Sequence, residues 1–214
     1  MTARLLLASR NAKKLRELRQ VVADAGIVGL EIVGLDEVPP FEELPEDAPS
    51  FEGNALIKAR QGYERTGLPC LADDSGICVH ALNGMPGVLS ARWSGRHGDD
   101  PANTALLLAQ IADTPDERRG AEFVSSCALV SGPGEAGELT VRGTWPGAVL
   151  REPRGEGGFG YDPVFLPEGS DRTAAELTAE EKNAISHRAR ALAQLVEPLR
   201  ALAARVPDQG RSAR

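Results

Sequence analysis

The order of strand-like and helix-like segments is the sequence feature that most restricts the fold. An apolar run at residues 4–8 precedes a helical pattern that places Leu15, Leu18 and Val22 on one face, and a second apolar run follows at residues 30–35. Strand-like and helical segments therefore alternate in the first part of the chain. Such alternation is typical of an α/β domain.

The later segments add strands that lie next to one another along the chain. Ser50 is a candidate cap for a helix that ends near residue 66. A Thr-x-x-Glu capping box at Thr178 begins the final helix. We expect Pro198 to kink or divide that helix. Between them we expect strand pieces at 70–72 and 77–82, a helix at 101–112, strands at 122–130 and 139–149 around a Gly/Pro-rich turn, and an extended piece at 163–166. The pattern predicts one α/β domain with a mixed sheet over residues 1–206, followed by a flexible tail at 207–214.

Composition excludes several classes of protein. The 214 residues include 24 Lys and Arg against 31 Asp and Glu, a formal charge of −7, which argues against direct nucleic-acid binding. The longest apolar runs fall far short of the roughly 20 residues that span a bilayer, and we find no N-terminal signal segment. The short apolar runs indicate no membrane contact, and three widely spaced cysteines indicate reduced thiols in a cytoplasmic protein.

A strand-to-helix turn near the N-terminus carries two lysines. Ser9, Arg10 and Asn11 follow the first strand, and Lys13 and Lys14 fall in the first turn of the helix. Helix N-termini offer unpaired N–H groups and a positive dipole end, which suit a phosphate group. The lysines oppose that dipole unless a polyanion binds there. The pattern is consistent with a phosphate site and equally with a solvated helix start.

Two adjacent carboxylates, Asp73 and Asp74, follow an apolar strand end and precede Ser75 and Gly76. Ligands gather at the carboxyl ends of strands in open α/β sheets, and neighbouring carboxylates repel each other unless a cation or a donor compensates. Mg²⁺ binds through one or two carboxylates together with substrate phosphates. The alternative is a plain Asp-Ser-Gly turn. The acidic loop at 39–49 supplies further candidate ligands: Glu42, Glu43 and Glu46.

A glycine-rich segment at residues 155–163 contains a formal G-x-G-x-x-G pattern. It is not a dinucleotide fingerprint, because that motif must open a helix and Pro163 and Pro167 prevent one here. A flexible loop that presents Phe159 and Tyr161 suits stacking on a flat ring. The alternative is a loop with two buried aromatic side chains.

Polar side chains also lie beside two apolar helix faces. Asn54 and Lys58 are four residues apart and share one helical stripe. Arg188 falls within the apolar arc of the final helix, where a guanidinium needs a carboxylate or a ligand oxygen as partner. Lys182 points a second cation toward the same end. Ordinary amphipathic helices show similar stripes, so the pattern alone leaves both interpretations open.

Taken together, these segments resemble the inosine triphosphate pyrophosphatase family, and within it the bacterial dITP/XTP branch. The matching pieces occur in the family's order and span residues 5 to about 200: ASRNAKKL at 8–15, FEGNALIKAR at 51–60, ADDSG at 72–76, GMPGVLSARWSG at 84–95, GFGYDPVF at 158–165 and SHR at 186–188.

The resemblance implies an elongated mixed sheet flanked by helices, with two lobes around a substrate cleft. It implies Mg²⁺-dependent hydrolysis of dITP, ITP, XTP or dXTP to the monophosphate and pyrophosphate, and a homodimer. It gives Asp74 the catalytic role and makes Asp74 and Glu46 the metal ligands. The implied substrate-binding residues are Ser9, Arg10, Asn11, Ala12, Lys13, Lys14, Asn54, Lys58, Ser75, Phe159, Gly160, Tyr161, Asp162, Lys182, His187 and Arg188.

The chain departs from the family pattern at four positions. Arg10 adds bulk and charge beside the phosphate turn, His80 stands where Asp is usual and is not counted as a ligand, and Leu89 and Trp93 replace positions that are more often Tyr. Two other functions compete: a Maf-like pyrophosphatase for pyrimidine or modified nucleotides, and a non-catalytic nucleotide sensor. A haloacid-dehalogenase-type phosphatase would need Asp-x-Asp-x-Thr instead of Asp-Asp-Ser-Gly.

Overall fold

A computed structural model describes residues 2–204 of the chain. Its six strands are β1 (Ala3–Leu7), β2 (Leu30–Val33), β3 (Cys70–Val79), β4 (Gly120–Val130), β5 (Glu138–Val149) and β6 (Phe165–Pro167). The helices are α1 (Ala12–Asp24), α2 (Phe51–Thr66), α3 (Asp100–Gln110), α4 (Ala179–Ile185), α5 (His187–Ala193) and α6 (Val196–Ala204), accompanied by short 3-10 turns.

The six strands form one mixed sheet in the order β2-β1-β3-β4-β5-β6. The helix-linked strands β2, β1 and β3 run parallel, and the strands from β3 to β6 run antiparallel. The short turn between β4 and β5 permits an antiparallel pair, whereas parallel neighbours need a longer crossover connection. The α/β class and the mixed sheet expected from the sequence are confirmed.

The sheet is covered on both faces near its centre. On one face α1, α5 and α6 pack against Leu71, Cys127 and Leu129. On the opposite face Ala55 and Ala59 of α2 pack against neighbouring residues of β3 and β4. Because side chains alternate along a strand, successive residues of β3 point to different helices.

A second large apolar cluster lies toward the β6 edge, where α3 and the segment around Phe165 cover the sheet. The two main clusters form two lobes, and a cleft opens between α1 on one side and the loop at 157–159 on the other. The two-lobed arrangement thus agrees with the expectation. A single domain over residues 1–206 stays a prediction, and the tail expected at 207–214 lies outside the described residues.

Two of the expected elements differ from the structure. Residues 70–79 form one continuous strand, with no turn at Asp73-Asp74-Ser75-Gly76, because all ten residues pair with β4. The final helix is divided at Ser186 and again before Val196. Ser186 ends α4 in an extended conformation and caps α5 by accepting a hydrogen bond from the backbone N–H of Ala189.

Pro198 neither kinks nor divides α6, because it lies in the first turn of that helix, where proline is tolerated. Ile185, the last residue of α4, is 42% exposed, so the apolar face of the final segment does not continue through this break. None of the helices in the described part of the chain has the length and apolarity that a bilayer crossing requires.

We predict that Leu195→Ala lowers the free energy of unfolding by about 2–5 kcal/mol, because the side chain is fully buried between α5 and α6 and its removal leaves a cavity. Urea denaturation followed by circular dichroism measures the change. Val28→Ala is the control, since Val28 is 89% exposed. Equal effects for the two variants would contradict this account of the core.

Candidate active site

The cleft between the lobes has a volume of about 740 Å³. It is lined by residues along the whole of α1, by one residue of β3, by the glycine-rich loop, by the segment at 174–178 and by the helices α4 and α5. Of the residues expected to bind substrate, it brings together Asn11, Lys13, Lys14, Ser75, Phe159, Lys182, His187 and Arg188.

The turn between β1 and α1 is built to present its lysines. The Asn11 side chain caps the helix by accepting hydrogen bonds from the backbone N–H groups of Lys13 and Lys14, at 2.9 and 3.4 Å. Ser9 Oγ accepts a hydrogen bond from the Asn11 N–H at 3.2 Å, and Ala12 begins the helix. These local bonds fix the direction in which the two lysines leave the turn.

A buried carboxylate lies beneath this turn. Asp73 Oδ2 is 2.6 Å from Lys14 Nζ and 2.7 Å from Arg188 Nη1, and the Asp73 side chain is 2% exposed. Burial alone would raise the pKa of this carboxyl, but the charges of Arg188 and Lys14 outweigh burial and hold its pKa well below the usual range. Asp73 is therefore the ionised anchor of two cations from opposite ends of the sequence.

Arg188 keeps an unused donor beside this anchor. Its Nε donates to Glu17 Oε2 at 2.7 Å. Its Nη1 lies 2.7 Å from Asp73 Oδ2 in an ion pair, and among residues 2–204 it has no second acceptor for its other N–H. A buried unsatisfied donor at the cleft is suited to a ligand oxygen.

Asp74 points to the opposite face of β3. Its Oδ2 accepts a hydrogen bond from Asn54 Nδ2 at 2.9 Å, and its Oδ1 accepts one from the Ser75 N–H at 3.0 Å. Burial raises the pKa of Asp74, as does the charge of Glu46, while Lys58 opposes both. The two adjacent carboxyls thus have pKa values shifted in opposite directions, which is typical of groups with different roles.

Lys58 connects the two faces. Its Nζ donates to the backbone oxygen of Asp73 at 2.7 Å and to Glu46 Oε2 at 3.1 Å. β1 pairs with β3 only as far as Leu7 and Leu71, so the edge of β3 beyond that point is not covered by β1. The cleft and the Asp74 face therefore meet at the same stretch of strand edge.

Side chains that the sequence reasoning missed hold the acidic loop. Gln61 is 5% exposed; its Nε2 donates to the backbone oxygen of Glu42, and its Oε1 accepts from the Leu44 N–H. Arg92 Nη2 donates to the backbone oxygen of Glu46 at 3.1 Å. Gln61 continues the helical stripe of Asn54 and Lys58, a spacing that could have identified it.

Arg10 also reaches the acidic loop. Its guanidinium pairs with Glu43 Oε1 at 2.5 Å, and the Arg10 side chain is 74% exposed. It does not line the cleft in the described part of the chain. Arg10, one of the positions at which this chain departs from the family pattern, therefore links the turn between β1 and α1 to the acidic loop that carries Glu46.

The carboxylates of Asp74 and Glu46 fit a hard divalent cation. Each offers oxygen ligands, and a cation would offset both the burial of Asp74, which raises its pKa most, and the smaller contribution from the charge of Glu46. Within residues 2–204, no group of three or more His, Cys, Asp and Glu side chains is arranged to hold a metal ion. Such a two-carboxylate site would need further oxygens, and substrate phosphates can supply them.

The glycine-rich loop presents one aromatic ring and buries the other. Phe159 is 56% exposed, and the Nζ atoms of Lys182 and Lys13 lie 5.0 and 5.9 Å from its ring centroid. Tyr161 is 4% exposed and donates from its hydroxyl to Ser90 O, so the expectation that it stacks on a ligand is corrected. Its ring packs in the apolar cluster of the second lobe instead.

Asp162 and Gly160 hold the loop rather than line the cleft. The buried Asp162 carboxylate accepts hydrogen bonds from the Phe159 N–H and from Lys182 Nζ. Gly160 donates from its N–H to Asp100 Oδ2 at 2.7 Å and has a φ of +60°, which favours glycine. Neither residue lines the cleft among the described residues, so both act here by positioning their neighbours.

His187 lies flat against two aromatic rings of the sheet. Its ring stacks on Phe123 at 5.0 Å and faces Trp145 at 6.4 Å between centroids. Burial, together with the nearby charges of Lys182 and Arg188, lowers the pKa of His187 to about 3, so the ring is neutral at pH 7. Its buried Nδ1 has no hydrogen-bond partner within residues 2–204.

Comparison with known proteins shows the family to which this fold belongs. The chain belongs to the Ham1 family, whose model matches residues 5–198. It is 66% identical to a dITP/XTP pyrophosphatase of Nocardia farcinica, covering 95% of this chain and 98% of that protein. A dITP/XTP pyrophosphatase of Mycobacterium tuberculosis is 64% identical with the same coverage. The resemblance inferred from the sequence is confirmed.

Solved structures of similar proteins share this fold. A nucleoside-triphosphatase / dITP/XTP pyrophosphatase from Mycobacterium abscessus is 64% identical, with a TM-score of 0.77 over 90% of this chain and 97% of that chain. A HAM1 protein from Coxiella burnetii is 41% identical, with a TM-score of 0.82 over 92% of this chain and 98% of that chain.

We predict that Asp73→Asn lowers the free energy of unfolding by about 3–5 kcal/mol, because it leaves Lys14 and Arg188 without their buried counter-charge. The lowered pKa of Asp73 stabilises the fold above the unfolded value near 4, and this contribution is lost as pH falls toward the folded pKa. The difference between the variant and the unsubstituted protein should therefore shrink below about pH 4. Urea titrations at several pH values measure it.

Asp74→Asn is the matched control for this prediction. Burial raises the pKa of Asp74, so removing its charge should not destabilise the fold. If both variants lose the same stability, the distinction between the two faces of β3 is wrong.

Proposed function

We propose that this protein is a Mg²⁺-dependent nucleoside triphosphate pyrophosphatase. It hydrolyses non-standard purine nucleoside triphosphates (dITP, ITP, XTP and dXTP) to the monophosphate and pyrophosphate. The names of its relatives support the reaction and the substrate class. Removal of these nucleotides from the free pool would keep deaminated purines out of DNA and RNA.

One observation carries this proposal. A single cleft places lysine side chains and the Phe159 ring beside the edge of β3, and the same strand carries Asp74, whose pKa is raised. Lys13 and Lys14 line the cleft at the end suited to phosphates, and Phe159 exposes its ring within it. Asp74 lies on the adjoining face of β3 with a raised pKa. A triphosphate laid along the open edge of β3 can therefore reach both faces.

In the proposed reaction Asp74 is the general base. Its carboxylate accepts the proton of the water that attacks the phosphorus, and Asn54 holds the carboxylate in place through the 2.9 Å hydrogen bond. Lys58 and Lys14 stabilise the negative charge that develops on the phosphate oxygens, and neither has to move far because both are already held by β3. Asp74 and Glu46 would hold the Mg²⁺, which polarises phosphate oxygens when bound.

The base end of the cleft favours a keto group at position six of the purine. The free N–H of Arg188 requires an acceptor, which hypoxanthine and xanthine supply and the amino group of adenine does not. Neutral His187 adds a second polar group without adding charge. Stacking on Phe159 suits any purine, so discrimination comes from the polar groups.

Four further residues near the cleft would take part in phosphate binding. Ser9, Ala12 and Ser75 would contact the phosphates through the turn and the strand edge, and Arg10 would act through its link to Glu43. The resemblance further supports a homodimer and a cytoplasmic enzyme that acts on free nucleotides rather than on nucleic acid or at a membrane.

We predict that Asp74→Asn lowers kcat by about 10²–10⁴-fold, because the water loses its base. Product analysis with ITP should give IMP and pyrophosphate for the unsubstituted protein and correspondingly slower formation of both for the variant. Asp113→Asn, an exposed carboxylate, is the control. Formation of IDP and phosphate would refute the reaction, and preference for dTTP or UTP would favour the Maf-like alternative.

We predict that EDTA stops pyrophosphate release and that added Mg²⁺ restores it, whereas the far-UV circular dichroism spectrum stays the same. Glu46→Gln should raise the Mg²⁺ concentration needed for half-maximal rate by about 10-fold, since one carboxylate ligand is lost. Activity that persists in EDTA would contradict the metal requirement. Binding of ITP without turnover under all metal conditions would favour a nucleotide sensor.

A further inference from the structure

A glycine in the middle of β5 lies directly under the helix that carries His187 and Arg188. Gly143 is buried and pairs with Ser125 of β4 in regular strand geometry. A Cβ atom at this position would lie 2.1 Å from the backbone oxygen of His187 and 2.5 Å from the backbone nitrogen of Ala191. The α5 backbone therefore sits on the strand at a depth that only glycine permits.

Two side chains, one from α5 and one from the residue that follows it, hold the helix on either side of this contact. Arg190 Nη1 donates to the backbone oxygen of Thr144, and Gln194 Nε2 donates to that of Arg142, both at 2.8 Å. These carbonyls flank Gly143 on a part of β5 that β6, paired only from Gly147 onward, does not reach. The two bonds fix the helix along the strand, and the glycine fixes its distance from the sheet.

The placement of α5 determines the placement of the base-reading groups. The helix has only seven residues, and breaks separate it from α4 and α6, so its position depends on its own contacts with the sheet and with α1. From this seat the His187 ring reaches Phe123 and Trp145, and Arg188 reaches Asp73. A small rise of α5 from the sheet would disturb all of these contacts together.

We infer that Gly143 is a positioning residue for nucleotide recognition, which sets the depth of His187 and Arg188 in the cleft. The inference rests on the proposed function, because it assigns these two side chains to the purine. Gly143 itself neither lines the cleft in the described part of the chain nor would contact the nucleotide; it acts through the position of α5.

Gly143→Ala tests the inference. The added methyl group must push α5 outward by about 1 Å to relieve a 2.1 Å contact, and a displacement of this size can cost on the order of 100-fold. We expect KM for ITP to rise about 10- to 100-fold and the ITP-to-ATP ratio of kcat/KM to fall. We expect kcat to change by less than about threefold, because the general base Asp74 and its partner Asn54 lie on the other face of β3.

Gly137→Ala is the matched control. Its Cβ would lie 2.4 Å from the backbone oxygen of Gly132, a comparable conflict in the β4–β5 turn away from the cleft. It should lower Tm while leaving KM and the ITP-to-ATP ratio unchanged. In a Trp93→Phe background, the emission of Trp145 should change in Gly143→Ala and not in Gly137→Ala, since Trp145 faces His187.

Unchanged KM and selectivity in Gly143→Ala, or equal changes in Gly137→Ala, would overturn the inference. If Gly143→Ala fails to fold, the double variant Arg190→Met/Gln194→Leu removes the two flanking hydrogen bonds without filling the seat. It should raise KM about 3- to 30-fold, for two bonds of ordinary strength, and an unchanged KM would then overturn the inference.

Failure of the proposed function gives a separate result. If the unsubstituted protein releases no pyrophosphate from ITP, the substrate assignment is wrong whatever the variants do. If it does release pyrophosphate, the comparison of Gly143→Ala with Gly137→Ala decides the role of Gly143 alone.

Discussion

The buried carboxylate of Asp73 is the interaction on which the site depends. Lys14 comes from the first helix and Arg188 from near the end of the chain, and both meet on one oxygen of Asp73. A charge at this depth is tolerated only when it is paired. The pairing therefore joins α1 to α5 and holds the two cationic groups next to each other beneath the cleft.

The central strand divides binding from chemistry. Asp73 and Ser75 face the cleft side, where cations and the aromatic ring lie, whereas Asp74 faces α2 with Asn54. The two adjacent carboxyls thus have different surroundings: the charges of Arg188 and Lys14 lower the pKa of Asp73, whereas burial raises the pKa of Asp74. The uncovered edge of β3 is where the two environments join.

Sequence patterns predicted the helices and caps that depend on local periodicity. They did not predict the side-chain contacts that depend on partners far away in the sequence. The capping residues Asn11, Ser50 and Thr178 and the helices they begin follow from short-range rules. The segment around Asp73 resembles a turn, since nothing nearby reveals the cations that let carboxylates occupy a strand. Tyr161 resembled a stacking residue because its partner, the Ser90 carbonyl, lies 71 positions away. The family resemblance supplied the residue roles that periodicity could not.

The alternation of β3 also limits how this enzyme can diverge. Gaining or losing one residue between Cys70 and Asp73 would rotate every later side chain of the strand through half a turn and exchange the two carboxyls between faces. Indels in related lineages should therefore accumulate in connections such as the one between β2 and α2, while the length of β3 stays constant. Point substitutions can change the shape of this pocket, but an insertion or deletion of one residue within β3 would remove its side chains from their positions.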